Sequence, residues 1–171
     1  EAFRQRALKN DAVWAYVAPR GIGRTVWDQS PRKQVQHRRR FYLLGESLGG
    51  MQIWDVRRAI QTLKMLKVNE NAKLMVLGSK GPASLVMYAS LFEELDAIGL
   101  EALAESDLDT VPILNASRFF SIDQMFAAAA SRQRTMIKEI PAQSFPYTRK
   151  TAAVQQWSQE KFFFVPENEE D

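Results

Sequence analysis

The sequence predicts an α/β fold, a mostly parallel sheet flanked by helices. Short apolar runs of strand length recur along the chain, and stretches with helical spacing or helical caps separate most of them. Residues 12–18 (AVWAYVA) are apolar, β-branched and aromatic up to Pro19, a buried-strand pattern, and Pro19-Arg20-Gly21-Ile22-Gly23 then breaks into a loop. Gly49-Gly50 precedes a helix over 51–66, where Ile53, Val56, Ile60, Leu63 and Leu66 fall at three- and four-residue steps on one face. A turn at 69–71 leads to a strand over 73–77 (KLMVL), closed by Gly78. Past Gly81-Pro82, residues 83–92 (ASLVMYASLF) read as a helix with proline in its first turn, and 95–100 (LDAIGL) as the next strand. Ser121 and Gln124 make a capping box for a helix that continues through Met125, Phe126 and an alanine run. Residues 134–140 and 161–165 supply the last two strands.

A chain of 171 residues suffices for one domain with a sizeable core, and 1–171 reads as one domain ending in an acidic tail at 166–171. With 46% hydrophobic and 25% charged residues the composition is globular, which argues against disorder. Cysteine is absent, which excludes disulfides, thiolate metal sites and a cysteine nucleophile. The single histidine, His37, rules out a histidine-rich metal site, and nothing here asks for a cofactor. No apolar run reaches the roughly 18 residues of a membrane span, so no membrane partner is expected. The run Arg32-Lys33-Gln34-Val35-Gln36-His37-Arg38-Arg39-Arg40 could touch phosphates, but no aromatic platform accompanies it. A solvated face or loop is the simpler reading of that run, and a nucleic-acid partner is not expected.

Two segments fit a nucleophile elbow, the strained strand-turn-helix that lifts a serine above a sheet. Gly45-Glu46-Ser47-Leu48-Gly49 matches the pattern literally; Gly78-Ser79-Lys80-Gly81-Pro82 matches it imperfectly. Context favours the second, because an elbow needs a buried strand before it and small residues after it. Residues 73–77 and Ala83-Ser84 provide both, whereas Arg38-Arg39-Arg40 and bulky Met51, Ile53 and Trp54 flank the first.

At this point the chain resembles a family. The string Leu43-Leu44-Gly45, Gly50-Met51-Gln52, Trp54-Asp55-Val56 and Arg58-Ala59 is similar to the helix before the elbow in acetyl xylan esterase-like α/β hydrolases, including their large bacterial esterase-like relatives. Pro19-Arg20-Gly21 resembles their proline-arginine-glycine loop. Val111-Pro112, Arg118-Phe119-Phe120 and Asp123 resemble their segment before the next-to-last strand. The resemblance spans roughly residues 12–140. It implies that the chain is the C-terminal part of an α/β-hydrolase-like domain, with an elbow turn at Gly78 and Gly81 and the nucleophile position on Lys80. Pro82 stands where the family has its second glycine. The resemblance further implies an exported or periplasmic protein, a carbohydrate or ester ligand, and a strand lying between 12–18 and 73–77 in space. N-terminal polypeptide, or another chain, is expected to supply that strand and complete the sheet.

A hydrolase triad runs nucleophile, acid, histidine in chain order. His37 precedes both elbows, and after residues 161–165 come Glu167, Glu169, Glu170 and Asp171 instead. Glu139, near a strand end, is the fallback acid; Ser79 and Ser47 are the fallback nucleophiles. Without a base a serine hydroxyl stays weakly nucleophilic, and a catalytic Lys80 needs an apolar pocket to depress its pKa. The expected function is therefore a non-catalytic or degenerate esterase-like domain that binds a carbohydrate-related ligand or serves as a scaffold. The alternative is an active carboxyl-ester hydrolase that uses Ser47 or Ser79 with groups from outside this chain.

Overall fold

The computed structural model describes residues 13–27, 30–66, 72–106, 111–141 and 143–165. The predicted turn at 69–71 and the acidic tail at 166–171 lie outside them. Strands β1 (Met75–Ser79), β2 (Ala97–Glu101), β3 (Arg134–Lys138) and β4 (Phe162–Phe164) form one all-parallel sheet in chain order. Among the described residues five α-helices accompany it: α1 (Pro31–Leu43), α2 (Leu48–Leu66), α3 (Gly81–Ser90), α4 (Ile122–Arg132) and α5 (Pro146–Val154). The predicted α/β fold, a parallel sheet flanked by helices, is the one observed.

Among the described residues each crossover between neighbouring strands carries one α-helix. Right-handed crossovers that step the same way place α3, α4 and α5 on one face of the sheet. The burial pattern agrees. Ile98, Leu100, Thr135 and Ile137 are fully buried toward that face, whereas Met75 and Leu77, at alternate positions, are exposed. Helix α3 lies between the sheet, α2 and α4, and every residue from Ala83 to Ser90 is buried. That explains its nearly uninterrupted apolar sequence, since a helix covered on all sides needs no polar stripe. Helix α2 buries Ile53, Val56 and Ile60 and turns Trp54 outward. Its Arg57 Nε and Gln61 Nε2 each donate to Glu93 Oε1 at 2.8 Å, tying α2 to the end of α3.

The capping box at Ser121 forms as predicted: Gln124 N–H donates to Ser121 Oγ, and Ser121 N–H donates to Gln124 Oε1. One residue inside that helix, Asp123 accepts from the Tyr147 and Thr148 amides at 2.8 and 2.9 Å, so an acid of α4 caps the N-terminus of α5.

One expectation needs correction. Residues 13–18 of the predicted 12–18 strand are exposed and belong to no strand. A strand exists only through its ladder, and residues 13–18 join none among the described residues. Residues 32–40, expected as a solvated face or loop, form a solvated helix face, since α1 buries no residue. Helix α5 falls in a stretch the sequence reading left unassigned.

Candidate functional site

Ligands of parallel α/β sheets bind beyond the carboxyl ends of the strands. Here the register aligns Ser79, Glu101 and Lys138 across β1, β2 and β3. After each of them the chain turns through a positive φ at a residue that is not glycine: Lys80 at 58°, Ala102 at 49° and Glu139 at 56°. The ladder extends one bond past the strands. Lys80 N–H donates to the Glu101 carbonyl at 2.8 Å and Ala102 N–H to the Lys138 carbonyl at 3.0 Å. Residues held in such sparsely populated conformations persist only where their surroundings dictate them, and they cluster at functional sites.

Lys80 is the sharpest case. With φ 58° and ψ −128° it is the N-cap of α3, and its carbonyl accepts from Ala83 N–H. These angles suit the first corner of a type II′ turn, which favours glycine. The chain therefore reverses from β1 into α3 at a single strained residue, as a nucleophile elbow does. The two glycines differ in what they contribute. A Cβ on Gly78 would lie 2.7 Å from the Pro82 carbonyl oxygen and 2.9 Å from Ala83 N and Cα, so Gly78 lets strand and helix touch. A Cβ on Gly81 would meet nothing within 4 Å. The positive φ sits on neither.

The Lys80 side chain is exposed, and no hydrogen bond or ion pair holds its ammonium among the described residues. Beside it runs a chain of charge: Glu101 Oε1 lies 3.3 Å from Lys138 Nζ, which in turn lies 3.5 Å from Glu139 Oε1. The Ser79 hydroxyl first, and Lys138 second, hold the Glu101 carboxyl below the usual carboxylate range. Glu101 in turn raises Lys138 above the ordinary lysine value. A carboxylate whose pKa is lowered in this way is a weaker proton acceptor. Glu139 lies at the same edge but pairs with Lys138 rather than orienting an imidazole.

The other candidates lie elsewhere. Ser47 caps α2: Gly50 N–H donates to its Oγ at 3.0 Å, and the residue is 4% exposed. The literal elbow pattern is thus a helix start. His37 is on α1 with its ring 6.1 Å from that of Trp27, and both line a cleft of about 80 Å³ with Phe41 and Leu48. None of residues 78–82 lines that cleft. Among the described residues no group of three His, Cys, Asp or Glu could hold a metal ion, and no helix is long and apolar enough to cross a membrane. Sequence reasoning missed Glu101 and Lys138, whose signal is being the last residues of neighbouring strands in register.

Two segments that carried the family resemblance meet in space. Arg20 donates to Asp55 through its backbone N–H at 3.0 Å, through Nε at 2.8 Å and through Nη2, while Gln52 Nε2 donates to the Arg20 carbonyl. The Arg20 guanidinium, foremost through its side-chain hydrogen bond, depresses the Asp55 pKa. Since the folded pKa lies below the unfolded one, the stabilisation is complete above about pH 4 and is lost as pH falls through the folded value. Asp55→Asn is therefore expected to lower stability at pH 7 and to flatten the acid limb below about pH 4. Urea midpoints across pH check this; parallel acid limbs for the two proteins would refute it.

The elbow gives a second test. Lys80→Gly removes backbone strain of about 1–3 kcal/mol at the cost of about 0.5–1 kcal/mol of chain entropy. A net gain of about 1 kcal/mol in unfolding free energy is the expected result. A loss would mean that the lysine side chain holds the turn.

No family model matches this chain, and neither does any curated protein or solved structure.

Proposed function

We propose that the chain is a non-catalytic, esterase-like α/β domain, the C-terminal part of a hydrolase-type sheet, with a carbohydrate-related binding or scaffold role. The observation that carries this reading is Lys80, in an elbow conformation at the end of β1, with no hydrogen bond or ion pair on its ammonium among the described residues. The turn that raises a hydroxyl in a hydrolase here raises an ammonium. Two further observations support it: Ser47 is a helix cap, and Glu101, the carboxylate beside Ser79, is held below the usual carboxylate range by the Ser79 hydroxyl and Lys138.

The test is turnover of an activated acetyl ester and of acetylated xylan, compared with the Ser47→Ala and Ser79→Ala proteins. No turnover above background is expected from any of them, nor from Lys80→Ser, because triad members act as a unit. Turnover abolished by either serine replacement would establish the active-hydrolase alternative instead.

The same reading includes a neighbour along β1. That strand pairs with β2 alone among the described residues, and Met75, Leu77 and Met136 fold their side chains over Gly99 on the face away from the helices. An unpaired edge beside apolar surface is a template for another strand. We assign it to N-terminal polypeptide or to another chain.

A further inference from the structure

Arg149 on α5 holds its guanidinium carbon 3.9 Å from the centre of the Phe164 ring, and its Nε donates to the Ser144 carbonyl at 2.8 Å. Two donors at this spot go unused. The Nη2 of Arg149 and the hydroxyl of Ser144 are both buried and have no hydrogen-bond partner among the described residues; Ser144 is 3% exposed. Asp123, the acid at this end of α5, is engaged by the Tyr147 and Thr148 amides and the Thr148 hydroxyl. No carboxylate faces the guanidinium among the described residues. Burial alone pushes the Arg149 pKa down, but a guanidinium stays charged in proteins.

A buried charged donor left unpaired is expensive, and buried polar groups in native proteins are almost always satisfied. Water would serve the hydroxyl but leave the charge unopposed. We propose that Arg149 and Ser144 form a binding site for a carboxylate or similarly small oxyanion, which accepts from Nη2 and from the serine hydroxyl. Phe164 shields the guanidinium from solvent, and a charge-assisted hydrogen bond is stronger in such surroundings. The carboxylate has two sources: a free ligand, or this chain's own run Glu167-Asn168-Glu169-Glu170-Asp171, which begins three positions after Phe164 in sequence.

Thermal unfolding of the full chain in acetate against chloride, at matched ionic strength, tests the site and separates the sources. A free ligand predicts a saturable midpoint rise of about 2–4 °C at acetate several-fold above its dissociation constant. The rise should vanish in Arg149→Gln, and Ser144→Ala should weaken acetate about fivefold. An internal carboxylate predicts no response until Glu167, Glu169 and Glu170 become Gln and Asp171 becomes Asn. That protein should melt lower and regain stability with acetate. If neither chain responds, or if Arg149→Gln responds as the unaltered chain does, the site does not exist. Should Arg149→Gln fail to fold, an unchanged acetate affinity in Ser144→Ala overturns the proposal equally well.

Discussion

Phe126→Ala is expected to destabilise the domain by about 3–5 kcal/mol, the range for deleting a fully buried aromatic side chain. Phe126 has no exposed surface, and its ring lies 4.8 Å from that of Phe145, at 62°, and 6.0 Å from that of Phe162. It joins three parts of the chain: α4, the residue that caps α5, and the outermost strand β4. Truncation removes the transfer free energy of the ring and leaves a cavity that its neighbours cannot close, since α4 is held by its capping box and α5 by Asp123. Both ring contacts, of the favourable tilted or edge kind, would go as well. Urea denaturation followed by fluorescence and by far-UV circular dichroism checks this. A loss below about 1.5 kcal/mol would mean that the α4–α5–β4 corner repacks freely.

The strands were legible because each is a short β-branched or apolar run, yet their limits shifted. The run at 73–77 becomes Met75–Ser79, since the ladder continues as long as β2 offers partners, up to Glu101 opposite Ser79. Residues 95–100 become Ala97–Glu101 for the same reason. The sequence pattern of a strand reports what its side chains prefer, whereas its ends depend on the neighbour. Residues 13–18 show the converse: a good strand pattern that joins no ladder makes no strand.

The helices missed share a cause. Helix α1 buries nothing and α5 buries only Thr148, so neither shows apolar periodicity. Helix α5 owes its start to Asp123, which lies 24 residues before Tyr147. At the candidate site, Lys80 was legible because Gly78 and the small residues after it describe a turn locally. Glu101 and Lys138 were not, because their alignment is a property of register. Arg20 and Asp55 were both singled out for their local motifs, but a contact across 35 residues leaves no mark on either motif alone.

Gly78→Val is expected to cost about 3 kcal/mol or more, although valine suits a strand better than glycine does. The reason lies in what the new Cβ would meet. Its neighbours at 2.7 and 2.9 Å are the Pro82 carbonyl oxygen and the N and Cα of Ala83, all backbone, so no rotamer change relieves the clash. Helix α3 would have to back away from β1, and its residues from Ala83 to Ser90 are buried against the sheet and the neighbouring helices. Displacing it opens the centre of the core. The comparison is Gly81→Ala, three residues along, where an added Cβ meets nothing within 4 Å and φ is not positive. That replacement should change stability by no more than about 0.5 kcal/mol. Paired urea titrations of the two variants measure the contrast directly. Near-equal effects would show that β1 and α3 do not approach so closely, and the elbow at Lys80, with the functional reading built on it, would lose its structural basis.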